Sequence, residues 1–147
     1  MMEHIHFGDA HVLVLYDGVC ALCNRLVRFL LKHDRKDVFR FAPLQSLLAE
    51  RVLARHQLAP QALDTVYLVE RYEQADEKVL ARSDAAIGAA NLLGDIWRAT
   101  AILRLLPRAL RDRVYDRVAR SRYAVFGRYE TCPLPEAKDR AKFLPAD

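Results

Sequence analysis

The spacing of apolar residues changes several times along the chain, and each change marks an element. "HVLVLYD", residues 11–17, is almost continuously apolar and closes on Asp17-Gly18, which predicts a buried strand ending in a turn. From Cys20 the period lengthens. Leu22, Leu26, Phe29 and Leu30 share one helical face while Asn24, Arg25, Arg28 and Lys32 fall largely on another, so an amphipathic helix is expected to about His33-Asp34. "VFRFAPL", residues 38–44, predicts a short second strand stopped by Pro43. Helical spacing returns in "QSLLAERVLARHQL", residues 45–58, through Leu48, Val52 and Leu53, with Ser46 as N-cap. "TVYLVE" (65–70) and "KVLARS" (78–83) are rich in strand-forming residues, and the polar "RYEQADE" between them predicts a hairpin. Ser83-Asp84 opens "AAIGAANLL", a helix of small residues suited to close packing. Beyond Gly94 the pattern is helical, broken by Pro107 into segments of about 95–105 and 108–122, and the proline-bearing tail from Glu130 is expected to run extended.

The order strand, helix, strand, helix, strand, strand, helix implies parallel pairing through the first crossover and antiparallel pairing in the hairpin. The expected class is therefore α/β, a thioredoxin-like mixed sheet flanked by helices, with additional C-terminal helices. One domain is expected over 1–147, with the helical extension starting at about residue 95.

Composition narrows the setting. The 147 residues are 52% hydrophobic and 29% charged, an ordinary globular balance. The longest uncharged apolar stretch, "AAIGAANLLG" at 85–94, is too short to span a bilayer, and the N-terminus has no basic region before its apolar run. A cytoplasmic protein without membrane contact is expected. The net charge of +4 is unevenly placed, with nine arginines between Arg98 and Glu130. These alternate with Leu106, Leu110, Val114 and Val118 at i, i+4 spacing, which reads as a solvated basic face on a helix whose apolar side packs inward. Binding of nucleic acid or another acidic partner through these arginines is the minor reading, and Arg122 and Arg128 are taken as surface residues.

The candidate chemistry lies at Cys20 and Cys23, a C-x-x-C at the first strand-to-helix junction. A helix N-terminus presents unpaired N–H groups and positive partial charge, which favour a thiolate. Cys23 is three residues on, ~60° round the helix, on the side continued by Val27 and Leu30. An exposed Cys20 that attacks and a more buried Cys23 that resolves would make a dithiol exchange pair. Asp17 is expected to cap the helix or shape the turn with Gly18, with proton acceptance from a thiol as the alternative. Zinc is the rival reading. It would need Cys20, Cys23, the remaining Cys132 and a histidine, since no second C-x-x-C is present and only His4-x-His6 resembles a ligand pair. Two inert helix cysteines are the third reading, and Cys132 is expected to be a packed residue.

"YDGVCALCN" (Tyr16 to Asn24) resembles the signature of the DCC family of predicted thiol-disulfide oxidoreductases, named for an Asp-Cys-Cys constellation that Asp17, Cys20 and Cys23 fill here. "FAPLQS" at 41–46 and "LPRALRDRVYDRVARSRYAVFGRYETCPLP" at 106–135 are also similar to the family. The resemblance implies a thioredoxin-like fold and dithiol activity; the expected partner is a disulfide-containing protein or a small-molecule thiol, and no cofactor is expected. The non-enzymatic alternative is a metal-binding or partner-binding module on the same fold. One departure from thioredoxins is visible in "DTVYLV": Tyr67 stands where those proteins carry a cis-proline before the third strand, and Pro60 comes too early.

Overall fold

The computed structural model describes residues 12–35, 37–58, 66–72, 75–130 and 137–144. Its chain order is β1 (Val12–Tyr16), α1 (Ala21–His33), β2 (Phe39–Pro43), α2 (Leu47–Arg55), β3 (Tyr67–Glu70), β4 (Lys78–Ala81) and α3 (Arg82–Leu93). A 3₁₀ segment, Asp95–Leu105, then leads to α4 (Arg108–Phe126), and a second one spans Ala137–Lys142. The strands form one sheet in the order β2-β1-β3-β4. β1 pairs parallel with β2 and antiparallel with β3, and β4 pairs antiparallel with β3. This is the mixed α/β sheet expected from the element order.

β1 lies inside the sheet, and all five of its residues are buried. Alternate side chains therefore enter two different cores. Val12, Val14 and Tyr16 face α1 and α3, packing with Cys23, Val27, Leu30, Ala85 and Ala89. Leu13 and Leu15 face the opposite layer, with Ala49, Val52 and Leu53 of α2. Each fully buried leucine contributes about 1.5–3 kcal/mol relative to an exposed one. The small residues of α3 permit close approach to the sheet. A Cβ on Gly88 would lie 3.0 Å from Leu68 Cδ2 and 3.2 Å from Leu80 Cδ1. Ser46 caps α2 as expected, its Oγ accepting the Ala49 N–H at 3.2 Å. α3 instead starts at Arg82, one residue before the expected Ser83, and has no side-chain cap.

The expected inward packing of the α4 leucine and valine row does not occur. Leu110, Val114 and Val118 are 48%, 59% and 45% exposed, and Leu106 is also exposed. Polar contacts fix the rotation of the helix instead. Arg111 donates to Asp84 Oδ1 at 2.9 Å, Ser83 donates to Asp112, and the Tyr115 hydroxyl accepts the Val66 N–H at 2.9 Å. These bonds turn Tyr115, Ala119 and Arg122 toward the body of the protein, and only Ala119 and Arg122 of α4 are fully buried. The apolar row is left on the outer side.

Candidate active site

The turn from β1 into α1 is built by its own polar atoms. The Asp17 carbonyl accepts the Cys20 N–H at 3.2 Å, and Asp17 Oδ1 accepts the Val19 N–H at 3.2 Å. Asn24, one turn into α1, reaches back to the Gly18 and Cys20 carbonyls, both at 2.9 Å. The N-cap itself is Cys20, in extended conformation, with its Sγ accepting the Cys23 N–H at 3.3 Å. Asp17 thus shapes the turn, one of its two expected roles, but does not cap the helix. The thiol takes the place that Ser or Asp usually fills.

Asp17 is 1% exposed, and each carboxylate oxygen meets two donors. Oδ1 accepts the Val19 N–H and Gln45 Nε2 at 2.7 Å, while Oδ2 accepts Arg122 Nη2 at 3.2 Å and the Tyr123 hydroxyl. Gln45 is held in turn, its Oε1 accepting the Gly18 N–H at 3.1 Å. Burial pushes the Asp17 carboxyl up, but the hydrogen bonds from Tyr123, Gln45, Val19 and Arg122 outweigh it and hold the group below the ordinary carboxylate value. The same contact acts in reverse on its partner: burial, then Asp17, push the Tyr123 hydroxyl up. Arg122 also donates to the Ala119 carbonyl and lies over the Tyr123 ring, its guanidinium carbon 4.3 Å from the ring centre. The exposed Arg128 stands 5.2 Å from that ring.

Arg122 is therefore no surface residue. It is 7% exposed and forms a buried ion pair with an acid 105 positions earlier. Periodicity conceals this pair, because most arginines on α4 are exposed and nothing local marks Arg122 as different. The signal available in the sequence is Asp17 itself, an acid at the end of a fully apolar strand, which burial obliges to find donors. Gln45, within the quoted "FAPLQS", likewise joins the site without any local pattern to announce it.

The cysteines are both buried and free, and their exposure reverses the expected order: Cys20 is 0% exposed and Cys23 7%. The cause is the segment after α4. Gly127 adopts φ 94°, which lets the chain turn back. Its carbonyl then accepts the Ala21 N–H at 3.2 Å, Cys20 forms a bridge with Arg128, and Tyr129 N–H donates to the Val19 carbonyl at 2.7 Å. Residues 127–129 thus cover Cys20 like a short added strand. Cys23 lies on the buried side of α1 with Val27 and Leu30, as its position predicted. Burial above all, then the charge and hydrogen bond of Cys20, push the Cys23 thiol well up.

Tyr67 opens β3 where a thioredoxin would place its cis-proline, and there is no cis peptide among the described residues. Among the described residues, no group of three or more His, Cys, Asp or Glu side chains is arranged to hold a metal. Cys132, His4, His6, His11 and Pro60 lie outside the described residues. No helix among the described residues is long and apolar enough to cross a membrane.

Residues 14–128 match the family described as DCC1-like thiol-disulfide oxidoreductase. The chain is 34% identical to the Bacillus subtilis protein YuxK over 133 residues, covering 90% of this chain and 93% of that protein. It is 35% identical over 127 residues to the Arabidopsis thaliana chloroplastic DCC family protein At1g52590, covering 86% and 71%. No solved structure matches it. The family match takes in the Asp17 turn, both cysteines, Gln45, Arg122 and Tyr123, and on these grounds the chain belongs to the DCC1-like thiol-disulfide oxidoreductase family.

Proposed function

We propose that this protein is a thiol-disulfide oxidoreductase that cycles Cys20 and Cys23 between dithiol and disulfide. The observation that carries the reading is the 3.3 Å hydrogen bond from the Cys23 N–H to Cys20 Sγ at the first turn of α1. It joins the two residues and aims a donor at the sulfur on which charge develops during exchange. The Cys20 thiolate attacks a substrate disulfide R–S–S–R′. A Cys20–S–S–R bond forms, and R′–S⁻ leaves and takes up a proton. Cys23 then gives up its proton and attacks Cys20 Sγ, which closes the protein disulfide and releases R–S⁻ to be protonated in turn. Two electrons pass to the substrate, and an external thiol restores the dithiol.

Asp17 is assigned a positioning role, since its four donors occupy the oxygens that a base would need free. Residues 127–129 must shift for a protein disulfide to reach Cys20. The substrates this chemistry serves are disulfide-bonded proteins or small disulfides. The test is reduction of bis(2-hydroxyethyl) disulfide with a dithiol as donor. Cys20→Ser should abolish turnover, and Cys23→Ser should accumulate a mixed disulfide at Cys20, read by mass. Full activity in Cys20→Ser protein refutes the proposal.

A further inference from the structure

A cavity of about 190 Å³ lies beneath α4, between α1, α3 and β3. Its wall includes Cys23, Leu22 and Leu26 of α1, Leu68 of β3, Ala89 of α3 and Val118 of α4. Cys20 does not line it. The polar residues beside it are engaged elsewhere, the Tyr115 hydroxyl with Val66 and the Arg122 guanidinium with Asp17 and Ala119. What remains facing the space is hydrocarbon and one sulfur-bearing side chain. The opening is bordered by Ala86 and Val118, both exposed, and Val118 continues the outward row of Leu110 and Val114. An apolar surface therefore leads from solvent to a thiol that is otherwise sealed.

We propose that this cavity is the selectivity pocket of the dithiol, and that its ligand is the apolar group of a small-molecule disulfide. The proposal rests on the dithiol reading above and names its substrate class. Three observations favour a small lipophilic substrate over a protein disulfide. First, the Cys20 side of the pair is closed by residues 127–129, whereas the Cys23 side opens on the cavity. Second, an apolar cavity of about 150 Å³ takes up a benzene ring, so this slightly larger one fits a single ring or a short branched alkyl group. Third, the pocket offers no free polar group to bind a peptide backbone, and such sites select by apolar burial.

With R seated in the cavity, its sulfur meets the thiol pair. Cys20, held to Cys23 by the N–H···Sγ bond, must turn its Sγ from the covered side toward the cavity to attack that sulfur; the Cys20–S–S–R bond forms, and R′–S⁻ departs and is protonated. Cys23 gives up its proton and attacks Cys20 Sγ, and the R–S⁻ expelled takes up a proton. One disulfide is reduced to two thiols while the protein dithiol is oxidised, and an external dithiol reverses the latter.

The experiment compares kcat/KM of the full chain for benzyl 2-hydroxyethyl disulfide and for bis(2-hydroxyethyl) disulfide, with dithiothreitol as donor. A preference of at least about tenfold for the benzyl compound is expected, the lower end of what a hydrophobic pocket gives for added apolar substance. Ala86→Phe, at an exposed position on the rim, should bring the ratio close to one. A ratio near one in the wild type, or a ratio unchanged in Ala86→Phe, overturns the proposal. A sulfur-free probe separates the two readings. Toluene should shift the methyl resonances of Leu26, Leu68 and Ala89 in wild-type protein and in Cys20→Ser, where turnover is absent, but not in Ala86→Phe. Toluene binding without reduction of either disulfide would count against the dithiol while upholding the pocket, and no shift on toluene addition overturns the pocket.

Discussion

Asp17→Asn changes one oxygen for an amide and hardly alters shape, so its cost reports the buried charge pair. Gln45 cannot turn its amide round, because its Oε1 is held by the Gly18 N–H. The oxygen of the substituted side chain must therefore keep facing the Val19 N–H and Gln45 Nε2, which leaves its NH₂ against Arg122 and Tyr123. The Tyr123 hydroxyl can rotate to accept, but the guanidinium cannot. The side chains of Arg122 and Asp17 are 9% and 1% exposed, so the substitution turns Arg122 into an uncompensated buried cation. Breaking such a pair from one side costs about 3–5 kcal/mol. Arg122 keeps the Ala119 carbonyl and the Tyr123 ring, which places the expected loss near the low end, about 3 kcal/mol. Urea unfolding measures it as a fall in midpoint at constant slope. Replacing Arg122 by Met in the same protein removes the orphan charge, and the double variant should recover about 2 kcal/mol of the loss. A loss under about 1 kcal/mol, or a double variant as unstable as the sum of the two single ones, would refute the argument that a desolvated charge pair anchors the site.

The same network sets two edges in the pH dependence of stability. The Asp17 carboxyl sits below its ordinary value of 3.8 in the fold, so its contribution to stability is present above that pH and fades as the pH falls through the depressed value. Tyr123 is raised above 10.0, so its contribution is intact below pH 10 and fades as the pH climbs toward the raised value; unfolding free energy against pH should show both edges, and in Asp17→Asn the acid edge should vanish while the alkaline edge moves to lower pH. Gly127→Ala forces a side chain into a backbone region that is nearly glycine's alone, at about 1–3 kcal/mol. It should loosen residues 127–129 and speed alkylation of Cys20 by iodoacetamide, and an unchanged rate would mean that this segment does not guard the thiol. Ser46→Ala removes the α2 cap and should cost about 1 kcal/mol in the same urea titration.

The strands and first two helices are legible in the sequence because each carries one clear period. β1 is apolar throughout since both its faces are covered, and α1 repeats at 3.6 since one side of it is. The C-x-x-C placement follows from the change of period at Cys20. The pattern of α4 misleads for a physical reason. Its leucines and valines are spaced to bury, but hydrogen bonds and ion pairs to α3 and the β3 entry decide its rotation, and a polar match across 27 to 49 residues leaves no local pattern. Arg122 is hidden by the same effect. It shares its side of the helix with Tyr115 and Ala119, a spacing that competes with the more conspicuous leucine row. The reversal of cysteine exposure arises in the turn at Gly127, where a stretch beyond the last long helix folds back on the first.

The Asp17–Arg122 pair also has a meaning for the order of assembly. A chain emerging from the ribosome presents β1 and both cysteines early, while Arg122 lies 105 residues downstream of Asp17. Until α4 is made, the acid has no cation to justify its burial, and nothing covers the Cys20 side. On the nascent chain the turn that carries Cys20 therefore stays uncovered until α4 and the residues after it dock against α1.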